Sequence, residues 1–295
     1  MRRLVTAIIH HRVIISSVLL FSLLFAGPGF ALNLSEAQKL LASDGAAGDQ
    51  FGVQVAIDGD TAVVGAMQDD DRGTNSGSVY VFKRTEGTWF EHQKLTASDG
   101  AAGDWFGIAI AIDGDTLAIG AQYDDDMVSN SGSVYIFTRT ADSWIETQKL
   151  TASDGAPDDL FGGESTIALE GDTLLIGAFD DDDLGDNSGA VYVFTRAAGI
   201  WTQQQKLTGS DGGFRDCFGF PTRMDGNNAV IGAPCGDIAE AYVFTRTDGI
   251  WAEQQKLTAS DGMIGNAFGD GVAINGHTIV IGDDNADDKG MATEQ

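Results

Sequence analysis

The sequence is poor in the residues that most single-site chemistry needs. It holds two cysteines, four histidines and four prolines in 295 residues. Two histidines, His10 and His11, fall in the amino-terminal stretch; His92 and His277 sit far apart in the rest of the chain. That excludes a Cys/His zinc cluster. No G-x-S-x-G elbow is present, and no glycine loop ends in Lys-Ser/Thr to cradle a phosphate. Basic residues are also scarce, 17 Lys+Arg against 44 Asp+Glu, for a formal charge of −27. Nucleic-acid binding rests on Lys and Arg neutralising phosphates, so DNA and RNA are excluded as partners, and anionic membranes would repel the chain. Cations and basic partners are favoured, and net negative charge also keeps an exported protein soluble.

What is plentiful is glycine, 39 residues, which suits a chain of many tight turns. The first 31 residues read as a secretory leader. Arg2, Arg3 and Arg12 open it, Val13 to Phe25 is apolar, and "GPGFA" ends in small residues with a cut expected after Ala31. The alternative is an uncleaved anchor, for which the run is short against the ~20 apolar residues of a bilayer span. Removing the three leader arginines leaves 14 basic against 44 acidic residues, a net charge of −30. The expected location is outside the cell or on its surface, with no membrane contact after cleavage.

Residues 32–295 are dominated by an internal repeat. "QKL" begins at Gln38, Gln93, Gln148, Gln205 and Gln255; "SDG" begins at Ser43, Ser98, Ser153, Ser210 and Ser260; "FG" begins at Phe51, Phe106, Phe161, Phe218 and Phe268. Within one unit, Phe51–Ile57 alternates as a half-buried strand, Asp58-Gly59 is a hairpin turn, and Thr61–Ala66 is a second strand. Ser78–Arg84 is a third strand and Trp89–Leu95 a fourth. The third strand is apolar on both faces (Val79, Tyr80, Val81, Phe82), so each four-stranded sheet must be sandwiched between neighbours. The predicted fold class is all-β, a β-propeller of four-stranded antiparallel blades with about five repeats. An open β-solenoid is the alternative, but units of this length are long for a solenoid coil.

The phrases "FG", "GA" or "GAP" (Gly232 to Pro234) and "GSVYVF" resemble the FG-GAP repeat of integrin-α-type propellers, nearest to its bacterial secreted branch. The resemblance implies an extracellular propeller used for binding or adhesion, with an extracellular protein or glycan as partner and calcium held in its loops. It also implies a spaced D-x-[DN]-x-[DN]-G calcium loop between the first and second strands, where this sequence has a tight "DG" turn. Integrin-type rings have seven blades. Here Glu36–Ala42 reads as a lone fourth strand, and the chain closes with two strands, Phe268–Ile274 and His277–Gly282. That pattern predicts either five blades latched by the amino-terminal strand, or part of a longer ring.

The loop between the second and third strands carries the candidate metal ligands. Its acids are Asp69, Asp70 and Asp71; Asp124, Asp125 and Asp126; Asp181, Asp182 and Asp183, followed by Asn75, Asn130 and Asn187. Three carboxylates and an amide can supply several of the oxygens that Ca²⁺ takes. Equally, Asp and Asn form solvated turns, and adjacent side chains do not all point inward. In "SDGAAGD" the expectation is turn chemistry, with Asp44 or Asp99 bonding its own backbone. The fourth unit has a shorter loop without the Asp triplet, and both cysteines. Folding about Asp225-Gly226 brings Cys217 opposite Pro234, beside Cys235, within reach of a disulfide. Such a bond in an exported chain would be worth ~3 kcal/mol; two buried thiols are the alternative. Trp89, Trp144, Trp201 and Trp251 are expected in the core, and Trp105 at the surface. The acids repeat in every unit, whereas a single active site breaks repeat symmetry. The reading is a non-enzymatic binding propeller; the alternative is a lectin-like or carbohydrate-active one, for which the carboxylates would serve as paired acids.

Overall fold

The computed structural model describes residues 37–260 and 265–284. The expected leader lies outside the described residues. Four complete antiparallel meanders follow one another. The first contains β1 (Phe51–Asp58), β2 (Thr61–Ala66), β3 (Ser78–Thr85) and β4 (Thr88–Leu95). The second contains β5 (Ala109–Asp113), β6 (Thr116–Ala121), β7 (Ser133–Thr140) and β8 (Ser143–Leu150). The third contains β9 (Ile167–Glu170), β10 (Thr173–Ala178), β11 (Ala190–Ala197) and β12 (Ile200–Leu207). The fourth contains β13 (Thr222–Asp225), β14 (Asn228–Ala233), β15 (Glu240–Thr247) and β16 (Ile250–Thr258). Two strands of a fifth unit, β17 (Phe268–Asn275) and β18 (Thr278–Asp283), follow among the described residues. The innermost strands β1, β5, β9, β13 and β17 pack in sequence. These are the blades of an incomplete, unclosed propeller.

Two-sided burial of the third strand holds the blades together. In the second blade, Tyr135 and Phe137 face the first blade, packing with Val63, Val79, Val81 and Leu95. Val134 and Ile136 face the third blade, packing with Phe161, Tyr192, Phe194 and Trp201. The "FG" phenylalanine closes each layer edge-on against its own blade, Phe106 standing 5.5 Å from the Tyr135 ring and 6.1 Å from Phe137. The four repeated tryptophans are buried.

Backbone contacts then fix how close the blades come. The loop carbonyls of Asn75 and Ser76 accept bonds from Trp105 N and Phe106 N of the next blade, at 3.3 and 3.0 Å. The same clasp joins Asn130 and Ser131 to Leu160 and Phe161, and Asn187 and Ser188 to Cys217 and Phe218. The glycine after each Asn-Ser lies against the following phenylalanine's backbone, and a Cβ on Gly132 would stand 2.2 Å from Phe161 O. At the outer edge, Gln93 Nε2 donates to Trp144 O and Trp144 N to Gln93 Oε1, both at 2.8 Å.

The expected amino-terminal latch is not made among the described residues. Residues 37–42 form no strand and add nothing to the β17–β18 hairpin. Gln38 instead clamps Trp89, at 2.7 and 2.8 Å, as Gln93 clamps Trp144. Leu40 is buried on the Tyr80, Phe82 and Trp89 face of the first blade. The physical reason is that, among the described residues, β18 has no third strand beside it on which a fourth could pair, whereas the first blade offers the glutamine its usual backbone partners. In the fourth unit, Cys217 and Cys235 are joined with Cα atoms 5.5 Å apart. The bond ties the start of that blade to its shortened loop.

The glycine approach is testable. Gly132→Ala meets a backbone oxygen and needs φ near +80°; it should lose about 2–4 kcal/mol in urea unfolding. Gly114→Ala, at φ +56° in open space, should lose only about 1 kcal/mol. Equal losses would mean that blade spacing is not set there.

Candidate functional site

Tyr80 and Lys94 are directly paired across β3 and β4, so their side chains share one face of the sheet. The register recurs as Tyr135 with Lys149, Tyr192 with Lys206 and Tyr242 with Lys256. Each pair reaches the rim where the loop after the second strand and the connection into the blade meet. In the first three blades the lysine ammonium there lies among three carboxylates. Lys94 Nζ stands 2.8 Å from Asp44, 3.0 Å from Asp69 and 2.6 Å from Asp71. Lys149 holds Asp99, Asp124 and Asp126 at 2.9, 2.8 and 2.6 Å. Lys206 holds Asp154, Asp181 and Asp183 at 3.0, 2.8 and 2.6 Å. The tyrosine hydroxyl sits between two of the same acids, Tyr80 being 2.7 Å from Asp44 and 2.9 Å from Asp69. Its single proton serves one of them at a time.

The three adjacent aspartates therefore have three different tasks. The first of each triplet is buried, and Asp69 also accepts Ser78 Oγ at 2.9 Å. The second turns away: Asp70 and Asp182 accept the backbone N–H of Asn75 and Asn187 at 2.8 Å, and Asp125 is exposed. The third, Asp71, Asp126 or Asp183, closes over the lysine. Asn75, Asn130 and Asn187 take left-handed dihedrals, φ +56°, +51° and +54°, and place their carbonyls in the interblade clasp. The structure thus brings two of each predicted ligand quartet together, joined by the "SDG" aspartate. In the first and third units the other two residues of the quartet hold the turn.

The fourth unit rebuilds this arrangement from different residues. Glu240 opens β15 where β3 opens with Ser78, opposite the alanine that ends the second strand. Its carboxylate lies 2.7 Å from both Lys256 Nζ and the Tyr242 hydroxyl, and Asp211 completes the group at 2.6 and 2.9 Å. Sequence reasoning missed Glu240 and all four lysines. The signal was present: "QKL" and the tyrosine of the third strand persist in the unit that has lost its Asp triplet.

Asp44 and Asp99 bond their own backbone, as expected of turn formers, and their carboxylates also reach the tyrosine and lysine of their own blade. The local turn is closed by the last acid of "SDGAAGD", Asp49 or Asp104, which accepts the N–H three residues back at 2.6 or 2.7 Å. Trp105 is half-buried, edge-on to Tyr123 at 4.7 Å, rather than exposed.

The charges respond to this packing. Hydrogen bonds from Lys94 and then Tyr80 hold Asp44 below the usual carboxylate range. Burial opposes ionisation of Asp69, but the bonds from Lys94 and Tyr80 outweigh it and the net displacement is downward. Lys94, Lys149 and Lys206 are raised: burial works against their charge, and the surrounding aspartates more than compensate. Asp104 and Asp159 receive no lysine, and burial, with the neighbouring loop acids, pushes each up to about 6.

Asp99, Asp124 and Asp126 offer oxygens close enough together for a metal ion. Lys149 Nζ is already within 2.9 Å of each, so a divalent cation at their centre would have to expel an ammonium ion. The donor set does not fit a resident calcium ion while the lysine is in place.

Stacked four-stranded meanders, clasped loop to strand and carrying one such cluster per complete blade, define a propeller assembled from a single repeated module. The FG-GAP repeat model matches residues 34–82, 89–137, 144–194, 201–244 and 251–294, and the chain belongs to that family. It is 34% identical to mouse integrin alpha-2 over 153 residues, 46% of this chain but 13% of the integrin. A crystal structure of a protein from Lactobacillus plantarum is similar in fold, with TM-score 0.52 and 17% identity over 78% of this chain and 63% of that one. A putative 6-phosphogluconolactonase from Bacteroides fragilis aligns with TM-score 0.48 and 13% identity, over 77% and 61% of the two chains. The chain thus spans less than two thirds of each of these proteins. At 17% identity the likeness to the Lactobacillus plantarum protein shows the fold alone.

Lys149→Met should lose ~3 kcal/mol of stability, because it leaves buried Asp124 without its countercharge. Millimolar calcium or excess chelator should leave the wild-type melting midpoint unmoved; a calcium-dependent midpoint would refute the lysine-centred account. A pH test addresses Asp104. Its folded pKa of about 6 exceeds its ordinary 3.8, so its ionisation opposes folding and stability declines as pH rises through that window. Asp104→Asn, which keeps an acceptor for Ala101 N–H, should match wild type near pH 4 and exceed it by ~2 kcal/mol at pH 7. A constant difference across that range in urea unfolding would contradict the assignment.

Proposed function

We propose that the chain is an exported, non-enzymatic FG-GAP propeller that binds an extracellular protein through the rim carrying its acidic loops. The observation that carries this reading is a row of exposed apolar side chains set among those acids. Met127 is 54% exposed, Leu184 53%, Phe214 62% and Ile238 63%. Met127, Leu184 and Ile238 come from the loops after the second strands, and Phe214 from the connection into the fourth blade. In an antiparallel meander both kinds of segment emerge at the same rim. Large apolar side chains presented beside carboxylates suit a partner with apolar and basic groups.

The clusters beneath support this use of the rim. The buried acid of each triplet and the one closing over the lysine are neutralised within their own blade, so the repeated carboxylates serve the scaffold. That leaves the variable residues between them to choose the partner. The cell surface is the fitting place for such a module, given the leader-like start and the relation to an integrin.

The test has two arms. Protein recovered from the medium of expressing cells should begin at Leu32 by mass; a full-length intracellular product would refute export. Beads coated with the purified chain should adhere to cells of its source. The double variant Leu184→Asp, Phe214→Asp should adhere about tenfold less at an unchanged melting midpoint. Unchanged adhesion would refute the rim assignment.

A further inference from the structure

Repeat symmetry is broken at one place on the propeller axis. Two residues before each inner hairpin turn, β1, β5, β9 and β17 carry Ala56, Ala111, Ala168 and Ala273. β13 carries Arg223 at that position, opposite Val230 as Ala56 is opposite Val63. The neighbouring third unit is irregular too. Ser165 takes φ +59° and directs its carbonyl toward β13, where it accepts Thr222 N at 3.2 Å and Arg223 Nη1 at 2.9 Å. Arg223 Nη1 also donates to Thr222 O at 2.8 Å.

These two bonds leave the Nε–Nη2 edge of the guanidinium unused among the described residues, and no described carboxylate lies within ion-pair distance of it. Arg84, Arg139 and Arg196, by contrast, each pair with an aspartate at the inner hairpin turn of their own blade. Arg223 is half-buried, and burial alone lowers its pKa, with no acid to offset it. In a chain with 44 acidic residues, a partly desolvated cation without a countercharge is a costly feature to hold in place. The side chain lines a cavity of about 240 Å³ on the axis, with Gln54 and Ser165 as its other polar residues and Val55, Ala109, Ile110 and Ile167 completing a lining whose accessible surface is mostly polar.

We propose that this cavity is a binding site for a small carboxylate, seated on the free edge of Arg223 between Gln54 and Ser165. The unused edge presents two parallel N–H donors at the spacing of a carboxylate's two oxygens. The volume is below the ~300–1,000 Å³ of sites for drug-sized ligands, which restricts the occupant to a few carbon atoms. The acidic rim does not prevent entry, because at physiological salt the Debye length is about 8 Å and distant carboxylates are screened. The site lies on the axis and is separate from the proposed rim surface, so either can fail without the other.

Isovalerate is the probe, titrated into the purified full chain and followed by saturation-transfer NMR. Isovaleramide, which keeps the shape and lacks the charge, and inorganic phosphate serve as comparisons. Saturable isovalerate binding is expected, with the amide and Arg223→Gln each at least about tenfold weaker. Val55→Trp places bulk in the cavity from an exposed position and leaves Arg223 intact; it should also abolish binding at an unchanged melting midpoint. If Arg223→Gln does not fold, the amide and Val55→Trp arms decide. Undiminished binding to Arg223→Gln or Val55→Trp would overturn the proposal. Phosphate binding as tight as isovalerate, or no saturable binding by wild type, would overturn it equally.

Discussion

Each complete blade depends on one lysine ammonium held among carboxylates that arrive from separate segments. The loop acids would repel one another if left together, and the connection entering the blade would have nothing to anchor it. The lysine resolves both problems at once. It sits on the outermost strand, beside a tyrosine whose hydroxyl bridges two of the acids, and it draws the entering connection and the long loop onto one rim. With the loop fixed there, its Asn-Ser carbonyls are presented to the next blade's "FG" backbone. The electrostatic cluster thus governs the spacing between blades as well as the rim of each one.

The fourth blade shows that this geometry can be met by more than one set of residues. Its loop lacks the aspartate triplet and the Asn-Ser-Gly that follows it, yet Glu240 brings a carboxylate to Lys256 and Tyr242 from the strand itself. The interblade clasp has no such substitute. The fourth loop offers the fifth unit no Asn-Ser carbonyls, and the β17–β18 hairpin packs mainly through Val230, Ala241 and Val272. The disulfide between Cys217 and Cys235 falls in this same blade, where loop-to-strand bonding is thinnest.

Much of the fold was legible because each blade repeats short local rules. Alternation in Phe51–Ile57, the Asp58-Gly59 turn and the doubly apolar Val79–Phe82 run fixed strand order and the need for neighbours on both sides. The cysteine pairing followed from counting about one hairpin. The cluster was harder to see. An Asp triplet looks like a metal loop or a wet turn until the lysine 25 residues later is known to lie across the strand from the tyrosine, which requires the β3–β4 register. The bulge between Val81 and Phe82 in that pairing shifts the register by one residue, so simple counting back from the turn at Thr85–Gly87 misplaces Lys94. The absent latch was illegible for another reason: "EAQKLLA" has the pattern of a fourth strand, but a strand forms only where a partner edge exists.

The lysine is the cation seated in each cluster, and nitrogen-15 NMR of the lysine side chains tests this most directly. With chelator present, the Nζ signals of Lys94, Lys149 and Lys206 should remain those of protonated amines as pH rises past 10.5, and added calcium should not move them. Signals that titrate at that ordinary value, or that shift when calcium is added, would contradict it.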